Sequence, residues 1–274
     1  MAQAIKSMKL YSAVDRIWAD LRVAGVAAEG PIAVETLSQV DQLHYFGTDA
    51  VDEAIAGIGI GPQARVLDVG SGFGGPARWI AHRTGARVDA VELQPDLNAC
   101  AGALTERAGL AGLVTHVAGD IQEVALAPQG HDSVVSWLAL YHIPQRETLW
   151  PKLWRALRPG GMVHVEDLFQ RGRFKGEETE ALATMLYANT MTDQEGYGAE
   201  LTSAGFEDIQ FTEMTEPWTG FTAQRLAAFE AGREAYEASH GVETFDALAA
   251  FYRTIAELFA GGNLGGARIT ARKP

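Results

Sequence analysis

From residue 64 onward the chain alternates short apolar runs with segments of helical spacing. ARVLDV precedes the helical ARWIAHR, ARVDAVE precedes a helix over DLNACAGALTERAG, and LVTHVAG and HDSVVSWL precede a helix over ETLWPKLWRAL that leads into GGMVHVEDLF. Strand runs interleaved with helices predict a parallel sheet covered by helices, because parallel neighbours need a crossover long enough to pack back on the sheet. Before this region, Leu10, Val14, Ile17, Trp18 and Leu21 recur at helical spacing, which predicts an amphipathic helix outside the sheet within the first 25 residues. PIAVETLSQVDQLHYFG then links it to the sheet.

After residue 168 the pattern predicts a helix around ETEALATMLYA, another over DQEGYGAELTSAG, and a strand at FEDIQFTEM. Helices at roughly 222–238 and 243–260 precede a last strand in GARITARK. In the second of these helices Leu248, Phe251, Tyr252, Ile255 and Phe259 form one stripe, which reads as core packing. The pattern shows no repeat, low-complexity tract or interdomain linker. It predicts one α/β unit, residues 48–274, with helical insertions at about 172–200 and 218–262, and a cap completed by residues 1–47.

Composition narrows the function. With 22 basic and 35 acidic residues the net charge is −13, which opposes nucleic acid backbones and anionic membranes. The densest basic piece, RGRFK at 171–175, runs at once into acids and reads as a solvated loop. The single cysteine, Cys100, excludes an internal disulfide and sits on the expected buried face of its helix. MAQAIKSMKLYSAV lacks the continuous apolar stretch of a signal peptide, and no window approaches the ~20 apolar residues of a membrane span. The expectation is a soluble protein of the reducing cytoplasm, with neither nucleic acid nor membrane as partner.

The candidate chemistry begins in LDVGSGFGG. Gly70, Gly72 and Gly75 satisfy G-x-G-x-x-G between a strand and a helix, and Glu92 closes the next strand. Taken alone this fits a dinucleotide site, and so a nicotinamide-dependent oxidoreductase, but it serves any nucleoside cofactor. Asp68 separates the two: a carboxylate beside the loop repels a pyrophosphate and attracts a ligand carrying positive charge. S-adenosylmethionine carries an ammonium and a sulfonium.

LDVGSGFGG, Glu92 and the later AGDIQE (118–123) together resemble the motif series of class I S-adenosylmethionine-dependent methyltransferases, over about residues 42–274 and most strongly over 64–168. The resemblance implies a Rossmann-like, seven-stranded, mostly parallel sheet with an antiparallel C-terminal strand, helices on both faces and a helical cap over the active site. It implies that Asp68, Gly70, Ser71 and Gly72 line the methionine end of the cofactor, that Glu92, with Leu93 and Gln94 beside it, holds the ribose, and that Asp120 and Ile121 meet the adenine. A strand-end acid can instead cap a helix, and Ile121 can be core.

Methyl transfer needs alignment, exclusion of water and in some cases a base, with no metal and no covalent residue. The ends of the fourth and fifth strands open on the cofactor crevice of such a sheet, which directs attention to SWLALYHIP and VEDLF. His142 is the candidate base, its alternative being a loop-ordering histidine. Glu166 and Asp167, adjacent on a strand, must point to opposite faces; one is expected to face the pocket, and Asp167 is the better match to the family position. Trp137 either covers the cofactor or belongs to the core. In DQLHYFG (41–47), which resembles a cofactor-covering segment, Tyr45 is expected to reach the cofactor or substrate, His44 is a second candidate base, and Thr48 is suited to cap the next helix.

Within the superfamily the chain is most similar to the sarcosine and dimethylglycine N-methyltransferase group, through LHYFG, LDVGSGFGG and GGNLGGARITARK. Where that group tends to show Gln-Asp after the fourth strand, this chain has Trp137 and Leu138, so an acid that could meet an amine is missing and a larger or more apolar acceptor is favoured. Met185, Tyr187, Met191, Tyr197, Trp218 and Phe221 of the cap are candidates for contacting the acceptor. The expected function is methyl transfer to nitrogen or oxygen of a small metabolite. C-methylation and a cofactor-binding regulator without turnover stay open, as does a homodimer.

Overall fold

In a computed structural model of the chain, residues 14–188 and 190–274 are described. Seven strands, β1 (Arg65–Val69), β2 (Arg87–Glu92), β3 (Val114–Ala118), β4 (His131–Trp137), β5 (Leu157–Gln170), β6 (Glu207–Glu213) and β7 (Leu264–Arg272), form one sheet in the order β3-β2-β1-β4-β5-β7-β6. Pairings from β3 through β5 are parallel, while β7 runs antiparallel between β5 and β6. The expected α/β class, strand count and antiparallel last strand are therefore all observed. β1 is buried along all but its first residue, as a strand covered by helices on both faces must be.

The helices are α1 (Val14–Val23), α2 (Val34–Leu37), α3 (Gly47–Gly57), α4 (Gly75–Thr84), α5 (Pro95–Arg107), α6 (Leu149–Ala156), α7 (Gly176–Thr184), α8 (Gln194–Ser203), α9 (Thr215–Ala231), α10 (Arg233–His240) and α11 (Val242–Gly261). Val14, Ile17, Trp18 and Leu21 lie on α1, whose buried Ile17 and Leu21 pack with Phe73, Leu97 and Leu104; Leu10 lies outside the described residues. The helix expected at 222–238 instead starts at Thr215 and stops at Ala231, with Gly232 separating it from α10. Pro217 falls in its first turn, where the missing N–H costs nothing. Thr48 does not cap α3: Phe46 holds that position at φ 59 with no side-chain hydrogen bond, and Thr48 is inside the helix.

The α11 stripe is core as expected, with Phe251, Ile255 and Phe259 buried against Tyr45, Leu168 and Trp218. Gly265 and Gly266 of β7 make this packing possible, since a Cβ on either would run into the ring of Phe169 or Trp218. Cys100 is buried on α5 as expected.

One buried charge ties the segment before α3 to the sheet domain. Arg78 of α4, fully buried, donates from Nη2 to Asp41 Oδ2 (2.8 Å) and to the Phe73 carbonyl (2.5 Å), and from Nη1 to Thr105 Oγ1 (3.0 Å) and the Ala101 carbonyl (3.1 Å). Burial pushes the Asp41 carboxyl up, and the guanidinium pulls against it. Beside this pair, the Asp41 carbonyl occupies the space that a Cβ on Gly75 would need. Breaking a buried pair leaves a stranded charge, so Arg78→Ala is expected to destabilise the chain by about 3–5 kcal/mol. Thermal unfolding checks this, and a midpoint within ~2 °C of wild type would show that the pair contributes little.

Candidate functional site

The strand order reverses between β1 and β4, so the loops leaving their carboxyl ends diverge and open a crevice. The cleft found there is lined by the loop after β1, the ends of β2 and β3, the loop after β4 and Asp41, Leu43 and His44 of the covering segment. It brings together Asp68, Gly70, Ser71, Gly72, Glu92, Leu93, Gln94, Asp120, Ile121, Trp137, His142 and His44. These positions span almost a hundred residues of sequence.

The glycine loop folds back on the sheet by backbone contacts. The Gly70 and Ser71 amides both donate to the Val91 carbonyl, at 2.9 and 3.0 Å. Gly70 has φ +75, and a Cβ there would collide with that of Ala139, so the floor of the cleft is set by direct approach of two loops. Glu92 joins them from the side: its carboxylate accepts from the Gly72 amide (2.8 Å) and the Gln94 amide (2.9 Å). Burial pushes Glu92 up while these amides pull it down. A carboxylate has about four acceptor sites, so acceptor capacity is left for a ligand's hydroxyl.

Asp68 differs. It is 1% exposed, and its Oδ2 has no hydrogen-bond partner among the described residues. Burial, helped by the charge of Glu92, pushes its carboxyl up to about 7. Ser71 Oγ beside it is likewise buried and unpartnered. Buried polar groups are almost always satisfied, so an orphaned acid on a cleft wall marks the place of a donor or cation. Asp120 Oδ1 accepts from the Gln122 amide at 2.9 Å and also faces the cleft, while Ile121 is both a cleft wall and a member of the main core.

Two histidines flank the opposite side. His44 is 5% exposed, its Nε2 donates to the Gly47 carbonyl at 3.0 Å, and its ring lies 5.5 Å from that of Trp137. His142, in the turn after β4, donates from Nδ1 to the Tyr187 carbonyl at 3.2 Å. Desolvation pulls both imidazoles down to about 4, so both are neutral at pH 7.

Several expected site residues lie elsewhere. Tyr45 follows His44 but turns into the cap, where its ring meets Trp218 edge-on at 4.8 Å and Phe221 at 5.3 Å; burial pushes its phenol up to about 12. Trp218, Met185, Met191 and Phe221 belong to the same apolar cluster and are not cleft walls. Glu166 and Asp167 do point to opposite faces, yet neither lines the cleft. β5 runs on to Gln170, paired with Leu264, so both acids sit inside the strand and not at its end. Glu166 accepts from Arg268 Nε (2.8 Å). Asp167 accepts from the Tyr197 hydroxyl, which in turn accepts from Arg146 Nη1 (2.7 Å). Arg146 also holds Glu200 through Nε and Nη2, at 2.9 and 3.0 Å. Tyr197 is therefore buried in an ionic network, and the Tyr187 carbonyl accepts from His142 at the cleft wall.

The sequence reading missed Arg78 and Phe73. Nothing in the sequence marks Arg78, a helical arginine like any other, although its partner Asp41 opens the DQLHYFG cluster. Among the described residues no group of three or more His, Cys, Asp or Glu is placed to hold a metal ion. No helix among them is long and apolar enough to cross a membrane.

Comparison with known proteins agrees with this geometry. Residues 67–165 match the family model described as a methyltransferase domain. The chain is 26% identical to the methyltransferase GfsG of Streptomyces halstedii over 196 residues, covering 70% of each chain. It is 30% identical to the sarcosine/dimethylglycine N-methyltransferase of Halorhodospira halochloris over 156 residues, 57% of this chain and 56% of that one. The fold superposes with a TM-score of 0.78 on phosphoethanolamine N-methyltransferase 2 of Haemonchus contortus in complex with S-adenosyl-L-methionine, at 24% identity, covering 83% of this chain and 53% of the other. The chain thus spans little more than half the length of the latter two. The matched segment runs from the glycine-loop strand into β5, on the mixed seven-stranded sheet that carries it, and this part of the chain is a methyltransferase domain.

Proposed function

We propose that the chain transfers a methyl group from S-adenosylmethionine to an oxygen or nitrogen of a small molecule. The observation that carries this reading is Asp68, a buried carboxylate beside a glycine loop with one oxygen, Oδ2, left without a partner among the described residues. An ammonium would satisfy it, whereas the pyrophosphate of a nicotinamide cofactor would meet a like charge. The residues present fit S-adenosylmethionine: Asp68 for the ammonium, the unspent acceptor sites of Glu92 for the ribose hydroxyls, and Asp120 with Ile121 for the adenine. When bound, this cofactor supplies an electrophilic methyl group on a sulfonium. Leu43 and His44 close the cleft from the covering segment and exclude water. His142, its Nδ1 donating to the Tyr187 carbonyl, lines the cleft as the candidate base. That two relatives are named N-methyltransferases of small amines supports a small acceptor. The single buried cysteine suits the cytoplasm as place of action.

Asp68 sets the expected pH dependence. Its folded carboxyl is pushed up to about 7, so it is protonated below that pH in the ligand-free protein and cannot receive an ammonium as a charge. Calorimetric titration with S-adenosylhomocysteine is expected to show affinity rising as pH increases through 7, with no binding of NADH run in parallel. Asp68→Asn should remove that dependence and weaken binding at least ~10-fold at pH 8. Because a raised folded pKa means that ionisation destabilises the empty protein, the same variant should unfold at higher temperature than wild type at pH 8 and not at pH 5. A flat affinity profile, unchanged in the variant, would refute the assignment of Asp68.

His142 stays neutral above about pH 4, so it contributes no activity limb between pH 5 and 8. His142→Gln is expected to lower kcat about 10²-fold or more while S-adenosylhomocysteine affinity stays within ~2-fold. Undiminished turnover would remove His142 from the reaction.

A further inference from the structure

The cleft wall assigned to adenine has two halves from distant parts of the chain: Gly119, Asp120 and Ile121 after β3, and Ile143 and Pro144 after β4. One side chain joins them without itself lining the cleft. Gln122 Nε2 donates to the Pro144 carbonyl (2.9 Å), to Thr148 Oγ1 (3.1 Å) and at longer range to the Gln145 carbonyl (3.4 Å). A carbonyl only accepts, so the amide is oriented with its nitrogen toward this turn. The Gln122 backbone amide in turn donates to Asp120 Oδ1 at 2.9 Å.

The turn that Gln122 grips is strained and is held from two other sides. Gln145 has φ +53, a left-handed conformation that a non-glycine residue keeps only where its surroundings impose it. Thr148 closes the turn by donating from both its amide and its hydroxyl to the Gln145 carbonyl, each at 2.9 Å. Behind it, Arg146 is fixed on Glu200 and Tyr197, and the Thr190 hydroxyl donates to the Ile143 carbonyl. Those contacts tie the turn to the core and to the connection between α7 and α8, and Gln122 supplies the link toward the cofactor. Residues 145–149 do not line the cleft, so a ligand reaches them only through the wall.

We propose that Gln122 is a positioning residue, which makes the two halves of the adenine wall one unit and passes the order imposed by a bound nucleoside to residues 145–149. This rests on the S-adenosylmethionine reading of the same cleft. A purine seated on Asp120 and Ile121 restrains the backbone at 120–122, and the Gln122 side-chain amide carries that restraint across to Pro144 and Thr148. Neutral hydrogen bonds are individually weak, so the link tunes affinity and does not decide whether the cofactor binds. Its chemistry matters as much as its reach, because a glutamate of the same length presents only acceptors to two carbonyl oxygens.

Calorimetric titration with S-adenosylhomocysteine at pH 8, and hydrogen–deuterium exchange with and without that ligand, test the link in the full chain and in Gln122→Ala and Gln122→Glu. In the wild type the ligand is expected to slow exchange over both 118–123 and 145–149. Each variant should bind it about 3- to 30-fold more weakly, keep the slowing over 118–123 and lose that over 145–149. A glutamine of purely structural role would, when replaced, speed exchange in the free protein yet leave the ligand-dependent difference at 145–149 intact. That result, wild-type affinity in both variants, or no ligand effect at 145–149 in the wild type overturns the proposal. Failure of the wild type to bind S-adenosylhomocysteine breaks the methyl-transfer reading and this proposal with it, whereas binding without the coupled protection breaks the proposal alone.

Discussion

A carboxylate buried at the end of a central strand, with one oxygen unpaired, is a cost that folding does not recover by itself. Asp68 is held there because β1 is short and paired on both sides, Asp68 to Ala90 and to Val135, so its backbone has no freedom to carry the side chain to water. Glu92 nearby adds like charge and raises the energy of the ionised form further. Glu92 can stay buried because two backbone amides meet its oxygens, whereas Asp68 Oδ2 finds no such donor. The two acids differ accordingly: Glu92 ties the loops together, whereas Asp68 keeps one oxygen without a donor. Such a locally unfavourable residue in an otherwise consistent core is what a binding site costs in stability.

The shape of the cleft around these acids comes from backbones in contact. Gly70 lets the first loop touch Ala139, and Gly75 lets the covering segment touch the start of α4. Arg78 then binds the covering segment, the glycine loop and α5 through one guanidinium. A planar group with five donors suits a point where three elements meet, and a lysine could not serve all of them. The result is a covering segment that presents Leu43 and His44 inward while Tyr45 anchors it in the cap.

The loop after β4 is held from the other side. The Thr190 amide donates to the Tyr141 carbonyl and the Thr190 hydroxyl to that of Ile143, while His142 meets Tyr187, so the connection between α7 and α8 is stitched to the cleft wall. Beneath it, Arg146 links Glu200 and Tyr197, and Tyr197 links to Asp167. Burial pushes the Asp167 carboxyl up to about 6 against the pull of Arg146 and the tyrosine hydroxyl. These groups have the residue types of catalytic chemistry, but the side chains bond chiefly to one another inside the core, with Asp167 also held by the backbone of Leu168 and of Tyr141 on the cleft wall.

The alternation of strand and helix patterns determined the α/β class, and the local signals of the cofactor loop were equally legible. A tight turn after a strand demands glycines, and an acid beside it has few structural uses, so LDVGSGFGG and Glu92 carried their meaning in the chain order itself. What depended on chain direction over longer distances was not legible. Whether β5 ended at Glu166 or ran to Gln170 was decided by its pairing with β7, about a hundred residues away, and that pairing moved two acids from the cleft to the interior. Tyr45 and His44 are neighbours in sequence with opposite destinations, chosen by the aromatic cluster of α9 and α11 on one side and the cleft on the other. Arg78 acquired its role only when Asp41, Phe73 and Thr105 were brought around it. The sequence by itself determined the elements and the local chemistry of the cofactor loop, because turn sterics and periodicity act within a few residues; only the tertiary structure decided which polar side chains face the cleft, because that depends on partners the chain meets after it has folded.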